Sequence, residues 1–285
     1  MTETSYGDAL AVVTVTYSPG ETLQRFLETL TDATTRPVQV VLADNGSTDG
    51  APQAAAETWD NVALVPTGGN LGYGGGANRG VAGLPADVGW VVVSNPDLEW
   101  GVGSIDTLLE AAKRWPRGGS FGPLITGRSG EVYPSAREVP SLGRGIGHGV
   151  LGRVWPANPW TREYKQTETD IREREAGWLS GSCLLLRREA WDSVDGFDSR
   201  YFMYFEDVDL GERLARAGWQ NVYVPSAEVM HIQGHSTAKA SSRMLAAHHE
   251  SAYRFIADRH RGPLWAPVRG AVKAGLTLRL KAQDR

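Results

Sequence analysis

Three acidic residues stand close together in the segment FMYFEDVDL at 202–210: Glu206, Asp207 and Asp209. They open an apolar pattern that predicts a helix near 208–217. The helix dipole stabilises acidic side chains at a helix N-terminus, which explains one such residue better than three. The aromatic neighbours offer a second explanation, because partial desolvation of a carboxylate raises its pKa and suits it to act as a general base towards a hydroxyl group. The segment is therefore a candidate catalytic site.

Polar residues directly follow three apolar runs that predict strands. Thr16 and Tyr17 end the first run, Asp44 ends the second, and Asn95 and Asp97 follow the third. The carboxyl ends of strands in an open parallel sheet line one crevice, where ligands bind. We therefore predict one site at this edge. For the segment DNGSTDG a plain turn is an equal alternative, because all its residue types favour turns.

The segment GGNLGYGGGANRG at 68–80 holds seven glycines in thirteen positions. Such a density predicts a loop whose backbone amides meet the oxygens of a phosphate group, and a plain flexible loop is the alternative. Gly72, Gly74 and Ala77 also match the GxGxxA pattern of a dinucleotide-binding turn, which would indicate an NAD-dependent oxidoreductase. That turn normally follows the first strand directly, whereas two predicted strands precede it here.

Asp97 and His231 are the candidate metal ligands. A hard divalent cation that bridges phosphates usually takes one or two protein carboxylates, which suits Asp97 beside a nucleotide diphosphate. A helix cap explains Asp97 almost as well. His231 and His235 follow a predicted strand, and a lone histidine is more often structural, but His231 is a suitable ligand beside an aspartate and a diphosphate. The predicted cofactor is therefore Mg²⁺ or Mn²⁺.

The order of elements predicts the architecture. The run LAVVTVTY, a helical apolar face at 23–30 and the run VQVVLA form a β-α-β unit. Further strands are predicted at 62–65, 90–93 and 183–186, with a helix at 104–115. We predict an α/β fold with a Rossmann-like, mostly parallel central sheet flanked by helices. The span 134–177 lacks periodicity and is interpreted as a long functional loop.

The composition excludes several classes of protein. With 41% hydrophobic and 22% charged residues, the chain of 285 residues is typical of a globular protein. A single cysteine, Cys183, excludes an internal disulfide and a cysteine-rich metal cluster. Without a signal-peptide pattern or a membrane-spanning run, we expect a protein of the cytoplasm.

Charge divides the chain into a predicted catalytic domain at 1–258 and a tail at 259–285. The tail holds seven basic residues and one acidic residue, a net charge of +6, which leaves −10 on the first 258 residues. An acidic body argues against nucleic-acid binding. The tail carries apolar residues at helical spacing, which predicts an amphipathic helix on an anionic membrane surface, with packing against the body as the alternative. This apolar stripe comprises Trp265, Val268, Val272, Leu276 and Leu280.

Six motifs occur in the order VVTVTYSP, ADNGSTDG, GGNLGYGGGANRG, SNPD, GWLSGSCLLLRR and GFDSRYFMYFEDVDLGERL. Together they resemble the inverting family 2 glycosyltransferases of GT-A fold, over about residues 10–240. The resemblance implies that Asp207 is the catalytic base and that Asp97, with His231, holds the metal. Asn95-Pro96-Asp97 stands where the family usually has Asp-x-Asp, so one carboxylate is missing.

The resemblance also implies two sets of binding residues. The set that binds the nucleotide sugar comprises Thr16, Tyr17, Asp44, Asn70, Gly72, Asn78 and Asn95. The set that orients the base or borders the acceptor comprises Glu206, Asp209, Trp178, Ser180 and Gly181.

The segments PSAREVPSL, NPW and AAHH more narrowly resemble the actinobacterial rhamnosyltransferases of this family. That resemblance implies transfer of L-rhamnose from dTDP-L-rhamnose to polyprenyl-diphospho-N-acetylglucosamine, in building the arabinogalactan linkage unit of the cell wall. It places the protein peripherally on the cytoplasmic face of the inner membrane. Another donor such as UDP-galactofuranose, or a non-catalytic protein that binds sugar nucleotides, are alternatives.

Overall fold

The computed structural model describes residues 6–140, 171–232 and 241–283. Its strands are β1 Ala9–Thr16, β2 Val38–Asp44, β3 Val62–Pro66, β4 Val88–Ser94, β5 Leu98–Trp100, β6 Gly118–Thr126, β7 Val132–Tyr133, β8 Ala136–Arg137, β9 Arg174–Ala176, β10 Trp178–Leu179, β11 Cys183–Arg187 and β12 Gln220–His231. Its α-helices are α1 Thr22–Ala33, α2 Ala51–Thr58, α3 Gly72–Val81, α4 Ser104–Arg114, α5 Arg188–Ser193, α6 Glu206–Arg216, α7 Ser241–Arg259 and α8 Ala266–Gln283. A 3₁₀ turn, Pro263–Trp265, joins the last two helices.

Ten strands of the described residues form one mixed sheet, with the main order β3-β2-β1-β4-β11-β6-β12-β5. The first four strands run parallel, as the β-α-β pattern predicts. Strand β11 lies antiparallel between β4 and β6, so Cys183 pairs with Ser94. This pairing brings the segment before β11 to the carboxyl end of β4.

Helices bury the sheet on both faces, and successive side chains of its strands point alternately into the two cores. Val12 belongs to the core on the α1 and α4 side, where Phe26 and Leu108 pack. Val13 belongs to the opposite core, which includes Ala77 of α3 and Leu214 of α6. The α/β class and the flanking helices are therefore confirmed.

The glycine-rich segment departs from the prediction. Residues 72–81 form helix α3, so the expectation of a loop across 70–78 was wrong for most of it. A β-carbon on Gly76 would lie 2.8 Å from Cγ1 of Val15, and one on Gly80 would lie 2.4 Å from Cγ1 of Val13. These glycines let α3 approach β1 more closely than any larger residue allows. Close packing thus offsets the low helix propensity of glycine.

The C-terminal part holds two packed helices. Helix α8 confirms the predicted tail helix, whereas α7 was not predicted. Helix α8 packs along α7, and its apolar residues Val268, Val272, Leu276 and Leu280 are half-buried. The expectation that this stripe faces a membrane is therefore wrong in part, because α7 provides a packing surface. No helix in the described ranges is both long and apolar enough to cross a membrane.

Parts of two predictions lie outside the described residues. Most of the long acceptor-side loop, including NPW at 158–160, falls at 141–170, and His235 falls at 233–240. The described ends of the predicted loop contain β8 and β9, and β10 directly follows it. Strand β9 joins the main sheet beside β12, and β10 pairs with β8. The loop therefore starts and ends at fixed positions.

Candidate functional site

The ends of β1 and β2 hold a fixed carboxylate. Thr16 and Asp44 are register neighbours, and the Thr16 hydroxyl donates a hydrogen bond to Asp44 Oδ1 at 2.9 Å. The backbone N–H of Ser47 approaches both carboxylate oxygens of Asp44 at 3.2 Å. Tyr17 follows with 55% of its surface exposed. The structure thus brings Thr16, Tyr17 and Asp44 to one edge of the sheet. The carboxylate of Asp44 is a buried hydrogen-bond acceptor there, and the ring of Tyr17 is exposed.

Asn45 is a residue that the sequence analysis did not assign. It is buried, its Nδ2 donates to the carbonyl of Gly72 at 2.9 Å, and its Oδ1 accepts a bond from the Thr67 hydroxyl at 3.0 Å. It thereby ties the end of β2 to the start of α3. The segment DNGSTDG contained this residue, but its turn-forming composition hid the role.

The three predicted binding residues near α3 differ in their surroundings. Asn70 is exposed, and its Oδ1 accepts a bond from the N–H of Gly72 at 3.0 Å, just before the helix. Asn78 lies inside α3, where its amide donates to the carbonyl of Phe197 at 2.7 Å and accepts from the N–H of Phe197 at 2.9 Å. Both polar ends of Asn78 are therefore occupied within the protein, so this side chain holds the segment at residue 197.

Asp97 and His231 meet although they lie far apart in the chain. Asp97 Oδ1 is 3.0 Å from Nε2 of His231, and Nδ2 of Asn95 lies 3.2 Å from the same ring nitrogen. The antiparallel pairing of His231 with Leu98, and a bond from the N–H of Ile232 to the carbonyl of Asp97 at 2.9 Å, fix this arrangement. The two predicted metal ligands are thus neighbours.

The pair fits a cation that is shared with a phosphate ligand. Among the described residues no third His, Cys, Asp or Glu joins a cluster that could hold a metal ion alone. A diphosphate-bound cation needs only one or two protein carboxylates, because phosphate oxygens and waters supply the other ligands. His231 Nδ1 is buried and has no hydrogen-bond partner within the described chain. The donor set therefore suits a cation that binds together with a nucleotide diphosphate.

Asp207 stands in the first turn of α6 and is held by two backbone amides. The N–H of Gly181 donates to its Oδ2 at 3.0 Å, and the N–H of Val208 donates to its Oδ1 at 2.8 Å. Burial raises the pKa of Asp207, while the two amide bonds and the charge of Arg137 act in the opposite direction. The result is a desolvated, oriented carboxylate with increased basicity.

Glu206 and Asp209 occupy different surroundings. Burial and the neighbouring charge of Asp207 raise the pKa of Glu206 to about 8, and its Oε2 has no hydrogen-bond partner in the described part of the chain. Glu206 therefore holds its proton more strongly than an exposed glutamic acid does. Asp209 instead forms an ion pair with Arg213 at 2.6 Å. The structure does not bring Asp209 to Asp207, because residues i and i+2 of a helix do not face each other.

Residues 180–182 join the metal-ligand pair to the acidic pair. The carbonyl of Ser182 accepts a bond from the N–H of Asn95 at 3.0 Å, while Gly181 contacts Asp207. The hydroxyl of Tyr73 donates to the carbonyl of Gly181. The main-chain N–H of Ser180 is bonded to the carbonyl of Ser135 at 2.7 Å. Gly181 and Ser180 are thus at the site as predicted, and Tyr73 is an additional member that the glycine-rich pattern concealed.

Trp178 closes the site on the side of β8. Its Cβ and backbone pack against Gly211 of α6, where a β-carbon would lie 2.8 Å from Cβ of Trp178. The guanidinium of Arg137 lies 5.8 Å from the centre of the Trp178 ring and an equal distance from that of Tyr133. Arg137 was not predicted as a site residue, although the motif PSAREVPSL contains it. It places a positive charge near Asp207.

The chain is similar to known glycosyltransferases. The model of the Glycosyl transferase family 2 matches residues 11–194, and that of the Glycosyltransferase like family 2 matches residues 142–248. A relative from Mycobacterium tuberculosis, named N-acetylglucosaminyl-diphospho-decaprenol L-rhamnosyltransferase, is 59% identical over 281 residues, which cover 95% of this chain and 92% of the relative.

Two solved structures have the same fold. A mannosyltransferase from Pyrobaculum calidifontis, in complex with GDP-Man and Mn²⁺, aligns over 97% of this chain and 72% of its own, with a TM-score of 0.60 and 18% identity. The crystal structure of GalNAc-T7 with UDP, GalNAc and Mn²⁺ aligns over 80% of this chain and 44% of its own, with a TM-score of 0.58 and 15% identity. The GT-A fold expected from the motifs is thus confirmed.

Proposed function

Because the chain belongs to glycosyl transferase family 2, we propose that it transfers L-rhamnose from dTDP-L-rhamnose to polyprenyl-diphospho-N-acetylglucosamine in cell-wall synthesis. The chain is a glycosyltransferase of GT-A fold. The mycobacterial relative, at 59% identity, supports the sugar and the acceptor. One structural observation carries the proposal: Ser182 bonds the backbone of Asn95, whose amide lies 3.2 Å from His231, while Gly181 of the same segment bonds the carboxylate of Asp207.

The donor occupies the edge formed by the ends of β1, β2 and β4. Asp44 accepts hydrogen bonds from the nucleoside, and the exposed ring of Tyr17 stacks on its base. Asp97 and His231 would hold a divalent cation, Mg²⁺ or Mn²⁺, which when bound would supply positive charge to offset that of a diphosphate. Asn95 keeps the ring of His231 in place through its amide, 3.2 Å from Nε2.

The acceptor meets the acidic pair on the side of Trp178. Asp207 removes the proton from an acceptor hydroxyl as that oxygen attacks the anomeric carbon, and the configuration inverts in one displacement. Asp207 has two amide donors while Oε2 of Glu206 has none among the described residues, so the single negative charge of the pair resides on Asp207. Glu206 retains its proton and prevents two adjacent negative charges.

The tail provides the contact with the membrane that carries the acceptor. Because four residues of the predicted stripe are half-buried, the membrane-facing residues are instead its exposed member Trp265, which is 43% exposed, together with Leu264 and Leu278, which are 92% and 68% exposed. Arg261 and Lys273 are exposed on the same part of the chain. Each basic residue near an anionic surface contributes about 1 kcal/mol. This supports peripheral attachment of 259–285 to the cytoplasmic face of the inner membrane, with 1–258 as the catalytic domain.

The dinucleotide alternative has lost its structural support. The two glycines of the GxGxxA pattern, Gly72 and Gly74, lie in α3, where they pack closely against Phe202 and Phe197. The family match also identifies the chain as a transferase. No NAD-binding turn therefore needs to be invoked.

The decisive experiment incubates the purified protein with Mg²⁺ or Mn²⁺, a short-chain lipid-diphospho-N-acetylglucosamine and a panel of nucleotide sugars, and follows the product by mass spectrometry. We expect a metal-dependent gain of one deoxyhexose from dTDP-rhamnose alone. Transfer of another sugar, such as galactofuranose from its UDP donor, would replace the substrate and retain the mechanism. Nucleotide binding without any transfer would instead favour a non-catalytic sugar-nucleotide-binding protein.

A further inference from the structure

The turn that precedes the acidic pair is strained. Tyr204 and Phe205 have φ angles of 67° and 66°, and Phe205 is the N-cap residue of α6. Two consecutive aromatic residues in the left-handed region are costly, since their β-carbons crowd the backbone there. Such a turn persists only where its surroundings hold it. Glu206 and Asp207 follow immediately, so whatever holds the turn also sets the position of Asp207.

Helix α7 holds this turn from outside. The hydroxyl of Ser251, a buried residue, donates to the carbonyl of Met203 at 2.9 Å. The ring of His248 lies edge-on to both strained residues, with centroid distances of 5.3 Å to Tyr204 and 5.5 Å to Phe205. Each residue of the turn thus has a partner on α7.

Phe255 extends the contact into a small separate core. Its ring centre is 5.2 Å from that of Phe205, and it is buried together with Tyr201 and Val208. Tyr201 precedes the strained turn and Val208 follows Asp207. The apolar cluster therefore joins both sides of the turn to one residue of α7.

Two ion pairs fix α7 to residues on either side of the turn. Asp258 lies 2.8 Å from Arg200, before the turn, and Arg259 pairs with Glu212, five residues after Asp207 in α6. In these contacts the partners of α7 all belong to residues 200–212. They cover the acidic turn and do not include Asp44, Asp97 or His231.

We propose that α7 is the element that positions Asp207, and that Ser251 and Phe255 are its positioning residues. The inference rests on the proposed role of Asp207 as the base. Loss of either residue relaxes the strained turn and moves Asp207 from the amide of Gly181, so the chemical step slows. Donor binding is unchanged, because the donor edge is formed by other elements.

The test compares Ser251→Ala with Ser193→Ala in steady-state kinetics, dTDP titrations and thermal unfolding. Ser193 is the control, because its hydroxyl also donates to a main-chain carbonyl, that of Ala190 at 2.7 Å, and accepts a bond from Nε1 of Trp219 at 3.1 Å, but it lies in α5. For Ser251→Ala we expect a loss of about tenfold in kcat, the effect of one lost hydrogen bond, with donor KM and dTDP affinity unchanged. Ser193→Ala should lower Tm similarly and leave kcat intact. Ser251→Thr, which restores the hydroxyl, should recover kcat.

A second variant tests whether a loss of kcat comes from the turn itself and not from a general loss of stability. Phe255→Leu retains apolar volume but loses the ring contact with Phe205, and it should also reduce kcat selectively. The proposal would be overturned if kcat were unchanged in both Ser251→Ala and Phe255→Leu. It would also be overturned if Ser193→Ala lost kcat in proportion to its loss of Tm, as Ser251→Ala does. Asp207→Asn separates the two hypotheses: if it stays active, the base assignment fails, whereas an inactive Asp207→Asn with a fully active Ser251→Ala rejects only the role of α7.

Discussion

The amide of Gly181 donates to Oδ2 of Asp207 across 3.0 Å, although the two residues are 26 positions apart in the chain. The carbonyl of the same glycine accepts a bond from the hydroxyl of Tyr73. Gly181 therefore joins α3 to the first turn of α6. A β-carbon at this position would lie 3.3 Å from both Tyr73 and Asp207, so a larger residue would disturb both partners.

Asp207→Asn should lower kcat by about 10²–10⁴-fold, since it removes general-base catalysis. The amide side chain is isosteric, so dTDP affinity measured by calorimetry should be retained. Asp209→Asn is the matched control, because Asp209 lies on the same helix but is paired with Arg213. It should reduce stability with little change in kcat. Equal losses of kcat in the two variants, or a parallel loss of dTDP affinity in Asp207→Asn, would contradict the assignment.

Asp97→Asn and His231→Gln should weaken the binding of Mn²⁺ in the presence of dTDP by about tenfold or more, because each removes or displaces one of two protein donors. Electron paramagnetic resonance of free Mn²⁺ measures this directly and does not depend on turnover. Asp106→Asn is a suitable control, since that carboxylate is engaged by Thr34 and Thr35. Unaltered Mn²⁺ binding in both site variants would reject these two residues as ligands.

The sequence was sufficient to predict β1–β4, β11, the strand before His231 and the strand-end residues, whereas β5–β10 were not predicted. The apolar runs that end at Thr16, Asp44 and Asn95 are short and bounded by turn formers, so their parallel arrangement and shared edge follow from general rules. The contact between Asp97 and His231 was harder to predict from local patterns, because it depends on the antiparallel pairing of β12 with β5. That prediction came from the family resemblance.

The remaining features depend on tertiary packing that a local pattern does not contain. Glycine density indicated a loop, whereas α3 uses Gly76 and Gly80 to approach β1. The three acidic residues looked equivalent in sequence, but the helix directs Asp209 away from Asp207 and buries Glu206 without a charge partner. Helix α7 has only a weak amphipathic pattern, so its contacts with the acidic turn were not predictable.

Glu206→Gln should change the pH dependence of stability. Burial raises the pKa of Glu206 to about 8 in the folded protein, against 4.5 as its ordinary value, so the folded state binds an extra proton between these limits. Unfolding free energy therefore falls as pH rises through this window, by up to about 1.4 kcal/mol per pH unit for one proton. Glutamine does not titrate, and the decline between pH 5 and 8 should be shallower in urea titrations.

The control for this measurement is Glu110→Gln, which alters an exposed residue of α4. Its stability should follow the same slope with pH as the unmodified protein. A Glu206→Gln slope identical to that of the unmodified protein would show that Glu206 is already ionised in the folded state.

The double substitution Leu264→Ser with Trp265→Ser should reduce sedimentation with vesicles that contain anionic phosphatidylglycerol. These side chains are exposed on the short turn before α8, so their loss removes apolar contact without opening a core. Raising the salt concentration should also weaken binding of the unmodified protein, because salt screens the attraction between its basic residues and the anionic vesicles. Val102→Ser, at an equally exposed site of the body, is the control. Binding that survives both the double substitution and high salt would contradict a peripheral contact through the tail.

Gly80→Ala tests whether the glycines of α3 serve packing or phosphate binding. A β-carbon at this position would lie 2.4 Å from Cγ1 of Val13 in the buried strand β1, so the helix must move outwards. We expect an overpacking cost of about 1–3 kcal/mol in unfolding free energy. Gly83 lies in the turn after α3, and in Gly83→Ala the new methyl group would have its nearest contact at 3.9 Å; that change should be neutral or stabilising, because alanine lowers the entropy of the unfolded chain. If Gly80→Ala instead kept full stability and lost only dTDP affinity, the packing account would be wrong and a phosphate-binding role for these glycines would be restored.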